Sequence, residues 1–189
     1  MSNHTDTREQ LMSAGRRMVQ ARGYNALSFR DLAEMVGVKS ASVHYHFPTK
    51  GDLGAALAHR YTEDGMAYLD AMLAEGLGYR ACLARYVALF RTALEDDNRM
   101  CLCGIMAAEA HDLPEAVRAE VTAFTNANVV WLTQLLAEHR PGTDAALARD
   151  RGAAIYAAVA GAQLVARGRG DLAVYDAIMS AFAATGLFD

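Results

Sequence analysis

Apolar residues recur along this chain at three- and four-residue spacing, the period of helices that bury one face. The sharpest instance is the stretch from Ser28 to Val36, where Phe29, Leu32, Ala33 and Val36 fall at i, i+3, i+4 and i+7. Ser28 and Asp31 stand three apart at its start, a capping-box pattern, so a helix should begin there. Gly37 follows where a helix can end in left-handed backbone that glycine adopts without steric cost. Val38 is an apolar plug, and a second helix runs from about Ser40, with Val43 and Phe47 on its buried side and Pro48 after it. Its outward side shows Lys39, Ser40, Ser42, His44, Tyr45 and His46, with no acid among them. Two short helices at a tight turn, the second with a polar, aromatic and basic face, describe a helix-turn-helix whose second helix enters a DNA major groove. A plain packing hairpin of an all-α protein has the same apolar pattern, and periodicity alone does not separate the two.

The rest of the chain repeats the helical period. Residues 1–6 are expected to be disordered, and Leu11, Ala14, Met18 and Val19 predict a helix from about Thr7 to Arg22, ended by Gly23. Thr49 with Asp52 should cap a helix from Lys50 to about Leu73, and Tyr79 to about Leu94 forms the next, with Cys82, Tyr86, Leu89, Phe90 and Ala93 inward. Met100–Ala110 is nearly uncharged and reads as a short buried helix. Asp112 and Glu115, around Pro114, suggest a capping box for a helix that reaches about His139. After Pro141-Gly142, Thr143 should cap a helix rich in small residues through Ala166; residues 167–170 read as a loop, and Asp171 caps a last helix. The expectation is an all-α chain of about nine helices. A three-helix head with the helix-turn-helix occupies residues 1–48, and a helical body occupies 49–189. The last two helices, about 143–186, carry wide apolar and small-residue faces that suit either an intermolecular four-helix bundle in a twofold dimer or a completed monomer core.

Charge supports a partner at the N-terminal end only. The chain has a formal net charge of −4, yet residues 1–50 hold seven Lys/Arg against four Asp/Glu. Both lysines, Lys39 and Lys50, lie in that stretch. A basic head on an acidic body suits a protein that meets a polyanion by one end. Arg16, Arg17 and Arg22 fall on the wet side of the first helix and read as solvated charges. No apolar run of 18 or more residues could span a bilayer, and the N-terminus lacks a signal-peptide core, so the expected compartment is the cytoplasm. Three cysteines, an odd number, fit a reducing environment better than a disulfide scaffold.

The run GVKSASVHYHFPTKGDL, from Gly37 to Leu53, resembles the TetR family pattern, and the resemblance extends from roughly Thr7 to Leu57. It implies a homodimeric DNA-binding repressor that reads a palindromic operator in double-stranded DNA, with dimerisation through the last two helices. Recognition helices about one DNA turn apart, ~34–36 Å, would then read the two half-sites. The resemblance assigns Arg30 to a base contact, where arginine pairs with guanine O6 and N7. It places Ser40 and Ala41 at base edges, Ser42 and Tyr45 at phosphates, and Lys50 at a phosphate beside a helix N-terminus. Lys39 should reach phosphate or base. His44 stands where the family usually has tyrosine, so the target sequence is not carried over. His46 is read two ways, as a phosphate contact or as a packed ring within the head.

Members of that family commonly bind a small molecule in the body, which releases DNA. Met66, Met72, Tyr86, Phe90, Met106, Phe124, Trp131 and Tyr156 would line an apolar cavity or simply form core, and His111, Asn126, Asn128 and Gln163 would orient a ligand. Cys101 and Cys103 are either buried core or a thiol sensor of oxidants and electrophiles. Their i, i+2 spacing points them apart on a helix, and alone it makes no zinc site. No HExxH, GxSxG or Gly-rich phosphate loop appears, and no metal or cofactor is expected. A helical ligand-binding or enzymatic bundle without DNA binding is the rival class.

Overall fold

The computed structural model describes residues 2–140 and 142–189. Among them are nine helices and no strand: α1 Ser2–Arg22, α2 Phe29–Val36, α3 Ser40–His46, α4 Lys50–Ala74, α5 Tyr79–Glu95, α6 Leu102–Ala108, α7 Glu115–His139, α8 Ala145–Arg169 and α9 Leu172–Ala184. No helix among the described residues is long and apolar enough to cross a membrane.

The chain forms two compact units. The first takes the residues up to Thr62 together with Leu102–Phe124. Its core joins Leu11, Ala14, Met18 and Val19 of α1 to Leu32 and Ala33 of α2, Val43 of α3, Phe47, and Leu53 and Leu57 of α4, all buried. Burying such side chains is the main source of stability for helices this short, since an eight-residue helix does not persist alone in water. The second unit takes Glu63–Cys101 and Thr125–Asp189. There α5, α8 and α9 pack around Tyr86, Phe90, Ile155, Val159, Gln163 and Tyr175. The Tyr175 hydroxyl donates to the Val87 carbonyl at 2.8 Å, and Arg91 Nε meets Asp176 Oδ1 at 2.8 Å, so α9 is pinned to α5 twice.

Several boundaries differ from the sequence reading. Helix α1 begins at Ser2, so Ser2–Asp6 are helical where disorder was expected; Met1 lies outside the described residues. Helix α6 starts at Leu102, and the Cys101 N–H before it donates to Gln163 Oε1 at 3.0 Å. The first bond of α7 is accepted by the Pro114 carbonyl, from Arg118 N–H at 3.0 Å, while Asp112 Oδ2 instead accepts from the Asn25 side chain at 2.8 Å. Asp144, not Thr143, caps α8 by accepting from the N–H groups of Ala146 and Leu147. That helix also absorbs the expected 167–170 loop. Arg167 and Arg169 complement its C-terminal dipole, and Gly170 closes it. Leu89 is exposed rather than inward.

Candidate nucleic-acid interface

The helix-turn-helix is built as its caps require. Ser28, in extended backbone at φ −128°, ψ 127°, accepts from Asp31 N–H at 3.3 Å and opens α2. Gly37 ends α2 with φ 75°, in the left-handed region that a side chain would strain. The Gly37 N–H donates to Glu34 O at 3.2 Å and the Val38 N–H to Ala33 O at 2.9 Å, the paired bonds of a Schellman motif. These bonds fix the angle at which the chain re-enters the head as α3. Val43 and Phe47 then anchor α3 from below.

With that face down, the opposite face is left to solvent. Lys39, Ser40, Ala41, His44 and Tyr45 are exposed, Ser42 and His46 half-buried. Tyr45 is 73% exposed, a large aromatic with no core role. The His44 ring sits edge-on to Phe29 of α2, centroids 4.8 Å apart, with Nδ1 3.5 Å from the Pro48 carbonyl, so its aim is set by the motif itself. The His46 ring meets Tyr45 edge-on at 5.1 Å. The Arg30 side chain is 88% exposed, touching only its neighbour Asp31 at 3.4 Å.

Lys50 begins α4, which is closed by a reciprocal box. Thr49 N–H and Oγ1 donate to Asp52 Oδ2 at 2.9 and 2.8 Å, and Asp52 N–H returns to Thr49 Oγ1 at 3.1 Å. The Lys50 ammonium donates to the Asn25 carbonyl at 3.1 Å and lies 4.6 Å from the centre of the Tyr24 ring. Partial burial lowers its pKa, opposed by the Glu109 carboxylate. Glu109 itself accepts from the Tyr24 and Asn25 N–H groups and so satisfies the turn between α1 and α2. This Tyr24–Asn25–Lys50–Glu109 assembly was not foreseen from the sequence. Its partners lie up to 85 residues apart and no local pattern joins them.

The expected effector residues fall in both units. Met66, Tyr86, Phe90, Asn128, Trp131, Tyr156 and Gln163 belong to the second, whereas Met106, His111 and Phe124 belong to the first. In the second unit Tyr86 stacks on Trp131 with centroids 5.6 Å apart and donates to Asn128 Oδ1 at 3.0 Å, and Tyr156 and Thr125 share a bond at 3.3 Å. Met106 and Phe124 are buried, but His111 and Asn126 are exposed. Cys101 and Cys103 are buried and form no disulfide. Among the described residues no cluster of His, Cys, Asp and Glu could hold a metal ion.

A capped helix-turn-helix whose second helix offers cationic, small and aromatic groups to solvent defines a sequence-reading DNA-binding regulator. Residues 11–57 match the family model described as bacterial regulatory proteins of the tetR family. A TetR family regulator from Agrobacterium tumefaciens is 31% identical, with 93% of this chain and 95% of that one covered and a TM-score of 0.84. A TetR regulator from Legionella pneumophila is 29% identical over 98% of both chains, with a TM-score of 0.88. The HTH-type transcriptional repressor NemR of Escherichia coli K12 is 27% identical over 145 residues, covering 74% of this chain and 73% of NemR. The chain belongs to the TetR family: it is a DNA-binding transcriptional repressor and not an enzyme. Regulators of this family bind DNA operators, dimerise and bind small-molecule effectors.

Proposed function

We propose that this repressor binds a palindromic operator as a homodimer in the cytoplasm and is released by a small-molecule effector bound in its helical body. Residues 1–48 are the DNA-binding stretch, and residues 49–189 serve effector binding and dimerisation. The exposed face of α3, held by Val43 and Phe47, is the observation that carries the reading. Arg30, Ser40 and Ala41 read base edges; Lys39, Ser42, His44, Tyr45 and His46 meet phosphate, sugar or base at the groove wall. Lys50 keeps its bond to Asn25 and offers its remaining N–H donors to phosphate. Dimerisation uses residues 143–186, where Leu147, Leu164 and Val165 of α8 are exposed large apolar residues beside exposed Ala157 and Gly161. An effector that reverses a 99:1 preference for the DNA-competent state must favour the other state by about 5.5 kcal/mol.

The test is selection of duplexes from a random library at low salt, followed by binding titrations of the winner. Retained sequences should show twofold symmetry with half-sites about 10 base pairs apart. Lys39→Ala should weaken all sequences alike and lower the salt slope by about 1, whereas Arg30→Ala should relax preference at one position per half-site. A protein that retains no duplex, or retains duplexes without symmetry, refutes the proposal.

A further inference from the structure

His44 is exposed on α3, four residues after Ser40 and three after Ala41, so it shares their side of the helix. Its ring is held at two points. Nδ1 lies 3.5 Å from the Pro48 carbonyl oxygen, and the Phe29 ring of α2 stands edge-on to it, with centroids 4.8 Å apart and planes at 67°. A carbonyl oxygen only accepts and repels a lone pair turned on it, so Nδ1 carries a proton. Nε2, on the other edge of the imidazole, is turned away from Pro48 and bonds to no described residue. In the neutral ring Nε2 is therefore an acceptor, and in the protonated ring a charged donor. Imidazole makes that exchange between about pH 5 and pH 8, where the phenol of the tyrosine usual in this family stays neutral.

We propose that His44 is a proton-switched base reader: neutral, its Nε2 accepts from the exocyclic amine of cytosine or adenine; protonated from solvent, it donates to guanine N7 or O6. This deepens, and rests on, the reading of α3 as the helix that contacts the operator. The major groove separates the two states, because cytosine shows only a donor there and guanine only acceptors. Adenine shows both and should be tolerated in either state. The groups touching the ring, Phe29 and the Pro48 carbonyl, are uncharged. The ionisable side chains on the elements around it are Arg30, Asp31 and Glu34 on α2, Lys39, Tyr45 and His46 along α3, and Lys50 and Asp52 opening α4. None of these acids bonds to the ring; Asp31 pairs with Arg30 at 3.4 Å, and Asp52 accepts from the Thr49 hydroxyl at 2.8 Å. With no carboxylate of the motif holding the proton, the base opposite Nε2 decides which form binds.

The experiment selects random duplexes on the full chain at about pH 5.5 and about pH 8, at one salt concentration, and repeats both on His44→Gln, whose amide does not titrate. In the parent the two sets of retained sequences should agree except at one position per half-site, cytosine or adenine at the higher pH and guanine at the lower. Duplexes differing only there are then titrated across the interval. The guanine-to-cytosine affinity ratio should rise about tenfold as pH falls, the worth of one hydrogen bond, and should stay flat in His44→Gln. His44→Tyr, which restores the residue usual in the family, should also be flat, and it serves as the comparison if the glutamine chain binds no duplex. Identical sequences at both pH values, or a pH-dependent ratio that persists in either variant, overturns the proposal. Symmetric duplexes retained without any pH effect leave the operator reading standing and sink the His44 reading alone. No duplex retained at either pH sinks both.

Discussion

Helix α4 carries three glycines, and replacing two of them, Gly54 and Gly65, by alanine should act with opposite sign. Alanine in a helix interior is worth ~1 kcal/mol over glycine, because it restricts the unfolded chain and shields backbone. At Gly65 a Cβ would meet nothing within 4 Å, so Gly65→Ala should collect that gain. At Gly54 the same atom would lie 2.6 Å from Tyr24 Cε2 and 3.1 Å from Val117 Cγ2. Both neighbours are buried, and the phenol ring is rigid and further held by the Lys50 ammonium over its face. Overpacking of this kind costs about 1–3 kcal/mol. Set against the helical gain, Gly54→Ala should destabilise by ~1 kcal/mol, leaving the two variants ~2 kcal/mol apart. With a urea m-value near 2 kcal/mol/M, their midpoints should differ by about 1 M. Unfolding must be followed at one protein concentration, because dimerisation adds a mass-action term. In a Tyr24→Ala background the clash disappears, and Gly54→Ala should then stabilise, which a double-mutant cycle reports as coupling. Equal stability of Gly54→Ala and Gly65→Ala in the parent chain would refute the packing argument.

Leu164 is 53% exposed on α8 in the single chain, so with Leu164→Glu the protomer should fold while the dimer dissociates. Light scattering should fall to the 20.4 kDa protomer mass and operator affinity should drop with it; a stable dimer would exclude this face from the interface. The Asp176 carboxyl is held below its ordinary pKa chiefly by the hydrogen bond from Arg91. A depressed folded-state pKa stabilises above the unfolded value, near 3.9, and that contribution is lost as pH falls through the folded one. The stability gap between the native chain and Asp176→Asn should therefore close below about pH 4, read from urea midpoints across a pH series; a gap constant with pH would contradict the assignment.

What the sequence disclosed and what it hid divide by range. The caps at Ser28, Gly37, Thr49 and Asp171 are decided within three or four residues, and each is legible in the sequence. The apolar period likewise located Val43 and Phe47 beneath α3. Asp112 misled because a cap competes with any distant donor that arrives, and Asn25 arrived. Residues 167–170 misled because two glycines suggest a loop, while two arginines at a helix C-terminus and a left-handed Gly170 let α8 run on. Lys50 was legible as a cation at a helix start; its seat on Tyr24 and Asn25 was not, since nothing near it in sequence names those partners. The composite of Gln163 with Phe90 and Cys101 was hidden for the same reason.

The recognition helix is itself a product of this tertiary scaffold. Helix α3 has seven residues, and its N-cap position, Lys39, makes no side-chain capping bond. Such a segment has too few internal hydrogen bonds to offset helix nucleation, so in isolation it would be coil. Its form in the fold depends on the Schellman turn at Gly37 and on burial of Val43 and Phe47. Glu109 extends the dependence, because its carboxylate supplies the acceptor for the turn that leads into α2. The ordering entropy of the reading face is thus met at folding rather than at binding. On the proposed reading of α3, specificity resides as much in the buried residues that shape the helix as in the exposed ones assigned to bases.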